Sequence, residues 1–194
     1  MYDFLKGTVV NLDSSGHLSL EVGGVGYLLR VSEHTRATIP LDGSTVTMHV
    51  RLQVKEDDLT LFGFAEVAER AAFDLLCSVQ GVGPAVALAI LSHLTVAQLK
   101  EALFKEDAAT LRGVKGVGAK SASRLVLELH DKLDRIPTPL EPVAGVSADA
   151  VEEARQALVA LGFSAAKITE ALKQVDAAEA GPEEILRQAL ALLR

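Results

Sequence analysis

The chain has 194 residues, 49% of them apolar, and a formal net charge of −7. That length holds one to three small domains with a real core, and so apolar a composition excludes a disordered chain. The lone Cys77 excludes an internal disulfide and a cysteine-rich zinc site, and the lack of Trp among sparse aromatics argues against single-strand recognition by stacked rings.

Residues 1–64 predict β structure. Phe4–Leu12, Leu18–Val22, Tyr27–Val31, Val46–Val54 and Leu59–Phe64 are short alternating runs rich in Val, Leu and Thr. Gly16, Gly23-Gly24 and Asp42-Gly43 punctuate them as turns, and Ser32–Ile39 predicts a helical turn. Gly24-Val25-Gly26 falls between strands and reads as a hairpin or bulge. Five strands in this length suit a small closed barrel of the OB type, which leaves no sheet edge exposed.

Residues 65–134 predict an all-helical domain. Ala65–Val79 carries Val67, Ala71, Leu75 and Leu76 on its expected apolar face. Helices follow at Pro84–His93, at 96–104 with Thr95 as N-cap, at 108–112 with Asp107 as cap, and at Ala119–Leu133. Three prolines within Arg135–Pro142 deny helix and ladder hydrogen bonds, so 135–146 is expected to be an extended linker.

Residues 147–194 predict a three-helix module. Ser147 is its N-cap candidate, with Val151, Ala154, Leu158 and Leu161 as the first apolar face. Leu161-Gly162-Phe163-Ser164 ends that helix and caps the next, 165–175; Gly181-Pro182 opens the last, where Glu183 and Glu184 suit the positive helix end. A module this small has a minimal core and offers apolar surface to a partner; Leu186, Leu190 and Leu193 are the candidate contacts, with core packing as the alternative role. The N-terminus shows no signal-peptide pattern, and Gly, Pro and polar residues interrupt the uncharged run 75–99. The expectation is a soluble cytoplasmic protein that does not enter a membrane.

One pattern occurs twice. Val79-Gln80-Gly81-Val82-Gly83-Pro84 and Val114-Lys115-Gly116-Val117-Gly118-Ala119 lie 35 residues apart, each with a leucine (Leu76, Leu111) five residues before its first Gly. The repeat is one supersecondary unit used twice: helix, tight Gly-x-Gly turn, helix. Glycines let the backbone take positive φ and let another molecule approach closely. The next helix begins with unpaired N–H groups at a positive dipole end, which hold a phosphate oxygen without reading a base. Between Ala108 and Leu127 there is no acid, but Arg112, Lys115, Lys120 and Arg124 are present, so a basic island coincides with the second turn. Local charge outranks the acidic total, and a paired grip on a duplex backbone is favoured over two chain-turning loops.

Other chemistries fit less well. Gly113–Ser121 resembles a phosphate-binding P-loop, but has one residue too many before Lys120 and no strand leading into it. The five histidines show no metal-ligand spacing, so no metal and no cofactor are expected. Glu56-Asp57-Asp58 is the strongest carboxylate cluster, in the turn between the last two barrel strands. Such acids repel phosphate and steer strands without adding affinity. A helix-hairpin-helix DNA repair enzyme would need a catalytic Lys or Asp in a pocket or a carboxylate metal cluster near the turns. A general interaction adaptor of ubiquitin-associated type, suggested by Leu161-Gly162-Phe163, does not explain the basic turns.

Taken in order, several segments resemble the RuvA family along essentially the whole chain. They are Glu21–Tyr27, Lys55-Glu56-Asp57 with Leu61–Phe64, Gly81–Pro84 with Ala87–Ser92, Gly116-Val117-Gly118 with Lys120 and Arg124-Leu125, and Leu158–Phe163. The resemblance implies an OB barrel, a tandem helix-hairpin-helix domain and a linked helical module. It implies a homotetramer, or two as an octamer, that holds a four-way (Holliday) junction open and flat without sequence preference. Gly81, Val82, Gly83, Pro84, Lys115, Gly116, Val117, Gly118, Lys120 and Arg124 are then the DNA-binding set. Glu56 and Asp57 form an acidic pin at the junction centre. The C-terminal module docks the hexameric RuvB ATPase, the RuvC resolvase shares the junction, and this chain is non-catalytic. Three positions depart from the family pattern. Ala85 and Ala119 stand where lysines are frequent, and Lys115 where Pro is common. The first turn has no Lys, Arg, Asp or Glu from Leu75 to Leu99. It relies on backbone amides, and either each grip is weaker or charge comes from elsewhere, such as Lys115.

Overall fold

Alternation at period two builds the first half of the protein. The structure, a computed structural model, describes residues 2–137 and, beyond them, 153–158, 161, 163, 167–168, 171–172, 175 and 181–193. Strands β1 (Phe4–Leu12), β2 (His17–Val22), β3 (Val25–Val31), β4 (Thr45–Val54) and β5 (Leu59–Phe64) close into a barrel in the order β1-β2-β3-β5-β4. All pairs are antiparallel except β3 with β5, where Leu29, Arg30 and Val31 face Leu61, Phe62 and Gly63. Leu18, Leu20, Leu29, Val31, Met48 and Val50 point inward at every second position and fill the barrel. Gly24-Val25-Gly26 is hairpin, as expected: Gly23 and Gly24 make the turn, and Gly26 already pairs with Glu21.

Strand β1 serves two neighbours. Phe4–Thr8 pairs with β4, and Thr8–Leu12 pairs with β2, with an irregularity between Val9 and Asn11. A bulge of this kind bends a strand so that a sheet can close. Gly7 lies at the changeover, where a Cβ would sit 2.0 Å from the Glu21 carbonyl oxygen.

Helix α1 (Glu33–Thr38) follows β3 and is capped by Ser32, whose hydroxyl accepts from the Thr35 N–H. Then come α2 (Val67–Cys77), α3 (Pro84–His93), α4 (Val96–Phe104), α5 (Ala108–Arg112) and α6 (Ala119–Leu129). Thr95 and Gln98 form a full capping box on α4, and Asp107 caps α5. Two expectations are corrected here. The buried face of α2 is Ala68, Ala72, Phe73, Leu75 and Leu76, whereas Val67 is exposed and Ala71 only half-buried. Phe73 sets this phase by packing on Phe62 and Phe64, with ring centroids 5.0 Å apart in both pairs and the rings tilted by 36° and 49°. The helix expected to run to Leu133 ends at Leu129 and tightens into a 3-10 segment, His130–Arg135. The chain therefore stays packed past the expected linker start. Ile136 is buried, and Lys100 Nζ donates to its carbonyl at 2.9 Å. The linker from 138 onward and the cap at Ser147 lie outside the described residues.

Barrel and helices form one compact unit, Met1–Pro137. The change at residue 64 is one of secondary structure, not a gap in packing. Phe62 and Phe64 of β5 belong to the same core as Leu76, Ile90, Leu99 and Leu125. Each buried Phe contributes about 1.5–3 kcal/mol. The Arg70–Asp3 pair across the same joint has a fully exposed carboxylate, so solvent screens it and it adds little. The aromatic cluster therefore carries the joint.

Glu69 of α2 is 6% exposed and accepts from the hydroxyls of Ser32 and Thr35, while Thr35 Oγ1 accepts from the Ala65 N–H at 3.0 Å. Burial pushes the Glu69 carboxyl above its ordinary 4.5, and the two hydroxyls only partly offset that. The folded state thus holds the proton more tightly than the unfolded chain, and stability falls as pH rises through the window above 4.5. Glu69→Gln is expected to flatten that slope in urea titrations run across pH. Glu69→Ala is expected to lose about 1–3 kcal/mol by stranding two hydroxyls. An unchanged slope in the Gln variant would show that the carboxyl does not govern this joint.

The second unit, Thr138–Arg194, is helical at 153–158, 167–168, 171–172 and Pro182–Leu192. Ala154, Leu158, Ile168, Leu172, Val175, Ile185 and Ala189 form its core. Among the described residues no single helix is long and apolar enough to cross a membrane; α3 and α4 meet at 99°.

Candidate nucleic-acid interface

The two Gly-x-Gly turns are copies in three dimensions as well as in sequence. In the first, the Val79 N–H donates to Leu76 O at 3.2 Å and the Val82 N–H to Val79 O at 3.0 Å. In the second, Val114 donates to Leu111 at 3.2 Å and Val117 to Val114 at 3.0 Å. Gly81 and Gly116 take φ of 90° and 93°, a region that L side chains rarely adopt. Gly83 and Gly118 then enter their helices with φ/ψ of −86°/169° and −83°/170°. The same four-valine frame explains both turns: Val79, Val82, Val114 and Val117 are buried and hold the loops from beneath. Val82 and Val117, expected among the contacts, bury their side chains in the core and donate their amides to the Val79 and Val114 carbonyls, which braces each turn from beneath. Gly81, Gly83, Gly116 and Gly118 stay exposed.

The helix starts behind these turns are unusual within this molecule. Every other described helix has either a side-chain cap or an acid in its first turn. Helices α3 and α6 have neither. Their positive dipole ends carry neither a side-chain cap nor an acid, which is the arrangement that receives an anion. Pro84 opens α3 at a position that needs no N–H. In α6 the first turn holds Lys120, a cation where the dipole disfavours one. A bound phosphate reverses that penalty. Lys115 and Arg112 are exposed beside it.

Arg124 does not sit where its place in the basic island suggests. Its Nη1 donates to the main-chain carbonyl and to the side-chain oxygen of Gln80, both at 3.1 Å, and its Nε lies 3.7 Å from Glu128. A Cβ on Gly116 would lie 3.5 Å from a Val86 methyl, so the second turn rests on the helix that follows the first. Gln80 was not legible as a site residue: a neutral amide before a Gly-x-Gly carries no signal until its partner is seen.

In the β4–β5 turn, Glu56 and Asp57 are exposed. Asp58, whose place in the acidic cluster was open, is part of the turn: its carbonyl accepts from the Lys55 N–H at 2.8 Å and its carboxylate from the Thr60 hydroxyl. In the C-terminal module, Leu186, Leu190 and Leu193 are half-buried against the module's own core. Ile185 and Ala189 point inward and the three leucines flank them; among the described residues of the module, Leu161 and Leu192 are large, apolar and exposed.

A closed barrel packed on a paired helix-hairpin-helix unit defines the tandem helix-hairpin-helix class, and the comparisons agree with that architecture. Residues 1–63 match the family model for the RuvA N-terminal domain, 73–131 the SAM-like helix-hairpin-helix tandem, and 149–194 the RuvA C-terminal domain. The chain is 41% identical to the Holliday junction branch migration complex subunit RuvA of Prosthecochloris aestuarii, covering 100% of this chain and 99% of that one. It is 43% identical to the protein of the same name from Syntrophotalea carbinolica, over 100% and 99%, and 40% identical to that of Pseudomonas aeruginosa, over 96% of each. The chain belongs to the RuvA family.

Proposed function

We propose that this chain binds four-way DNA junctions by shape, without reading sequence, and serves as the non-catalytic subunit of a branch-migration complex. The observation that carries the reading is the pair of equivalent, uncapped, acid-free helix starts behind Gly-Val-Gly turns. Two such starts hold two phosphates of one duplex arm, and contacts of that kind position a protein without discriminating bases. The names of the full-length relatives support the same reading. On it, four copies assemble around the junction and their Glu56 and Asp57 carboxylates gather at its centre as a negative post between the strands. The C-terminal module recruits the ATPase motor of the complex, the resolving nuclease shares the junction, and the work is done in the cytoplasm.

A mobility-shift comparison of a four-way junction with linear duplexes of the same sequences tests this. The junction is expected to bind more tightly, with affinity falling steeply as salt rises. Equal affinity for both would overturn the reading. Run in the same assay, Glu56→Lys with Asp57→Lys is expected to bind the junction as tightly or more tightly while branch migration with the motor is disturbed. Loss of binding would mean instead that these acids hold the turn.

A further inference from the structure

We propose that Arg124 and Gln80 form a strap between the two hairpins, through which the second hairpin's helix supplies the first hairpin with its positive charge and holds its turn in the phosphate-receiving form. The inference rests on the DNA-binding reading above and changes how the site divides its labour.

The need is plain in the charge map. From Leu75 to Leu99 the first hairpin and its helix carry no Lys or Arg, whereas the second has Lys115 in its turn and Lys120 in the first turn of α6. Arg124 lies one helical turn beyond Lys120, so sequence position assigns it to the second hairpin. The geometry assigns it to the first. Nη1 has two N–H groups, and both are directed at Gln80, one at its carbonyl and one at its side-chain oxygen. Nε lies 3.7 Å from Glu128, one turn further along the same helix. The fork geometry of arginine leaves Nη2, with two further donors, for an anion at the exposed Gly81–Gly83 rim. Gln80 immediately precedes Gly81, at φ 90°, so a bond to its carbonyl steadies the residue on which the turn depends. Lysine lacks the fork and cannot hold both Gln80 oxygens while presenting a second pair of donors. Arg124 is thus a positioning residue for the first turn as well as its charge, and Gln80 is the receiver that makes both possible.

Amide hydrogen exchange of the full chain, free and with a four-way junction, separates the two hairpins. In the wild-type chain the junction is expected to slow exchange at both 81–85 and 116–120. Arg124→Met is expected to lose that protection at 81–85 and keep it at 116–120, and Lys120→Met to do the reverse. Gln80→Ala, which leaves every charge in place, is expected to speed exchange at Gly81 in the free protein and to weaken junction binding about tenfold. Arg124→Lys is expected to resemble Gln80→Ala. Thermal unfolding of each variant confirms that the fold survives. Loss of protection at 116–120 alone, or equally at both hairpins, in Arg124→Met would overturn the strap while leaving the DNA reading intact. Wild-type protein with no protection at either hairpin would overturn the DNA reading and the strap with it.

Discussion

Alanine at both Gly81 and Gly116 is expected to weaken junction binding about a hundredfold while the barrel stays folded. The reason is backbone strain alone. Nothing lies within 4 Å of a Cβ placed on Gly81, and one placed on Gly116 meets only a Val86 methyl at an ordinary 3.5 Å. Space is therefore not the obstacle; φ of 90° and 93° is. An L residue in the left-handed region costs about 1–2 kcal/mol. The turn either bears that cost or relaxes and moves the Gly83 and Gly118 helix starts away from their phosphate positions. Each relaxed turn then loses about tenfold in affinity, since 1.4 kcal/mol is a factor of ten. Asparagine tolerates positive φ better than alanine, so Gly81→Asn with Gly116→Asn is expected to recover part of the loss. Mobility shifts of the three proteins with one junction, beside their circular-dichroism melts, check this. A double alanine variant that binds like wild type would show that the turns do not present the helix starts to DNA.

Gly7→Ala is expected to be the most damaging single substitution in the barrel, lowering stability by about 3 kcal/mol or more. Its Cβ would fall 2.0 Å from the Glu21 carbonyl oxygen and 2.8 Å from a Val22 methyl. The oxygen belongs to a strand whose neighbours are set by the pairs Thr8–Glu21 and Glu21–Gly26, so it cannot withdraw without parting β1 from β2 or β2 from β3. For a chain of this size such a loss lowers the melting temperature by about 10 °C. Gly63→Ala is the control: its closest contact is the Leu29 Cδ2 methyl at 2.7 Å, the far end of a flexible side chain. It is expected to cost only about 1–2 kcal/mol. If Gly7→Ala melts within a degree of wild type, the closure point of the barrel is looser than its geometry states.

Much of this molecule was legible before its structure, and the misses share a cause. The five strands were read close to their true bounds because alternation is local: Leu18 and Leu20 declare an inward face from within their own strand. The twin turns were legible for the same reason, since Val-x-Gly-Val-Gly brings both its anchors and its glycines within five residues. The face of α2 was misread because Val67 and Leu75 satisfy helical spacing as well as Ala68 and Phe73 do. Only Phe62 and Phe64, arriving from β5, decide between them. Glu69 carries no signal in the sequence, because a carboxylate on a helix has the pattern of a solvated residue until the hydroxyls of Ser32 and Thr35 are brought around it.

The sequence by itself determined the barrel strands, the helical tandem, the repeated phosphate-shaped turns and the family to which they point. Each of these is written in residues a few positions apart, where periodicity and turn chemistry act. Only the tertiary structure decided that Gly7 must lack a side chain, that Phe62 and Phe64 set the buried face of α2, and that Arg124 reaches the first hairpin. Arg124 and Gln80 are 44 residues apart, and Gly7 and Glu21 meet across two strands. Such contacts are set by how elements pack, and packing geometry leaves no mark on the local pattern of the residues it brings together.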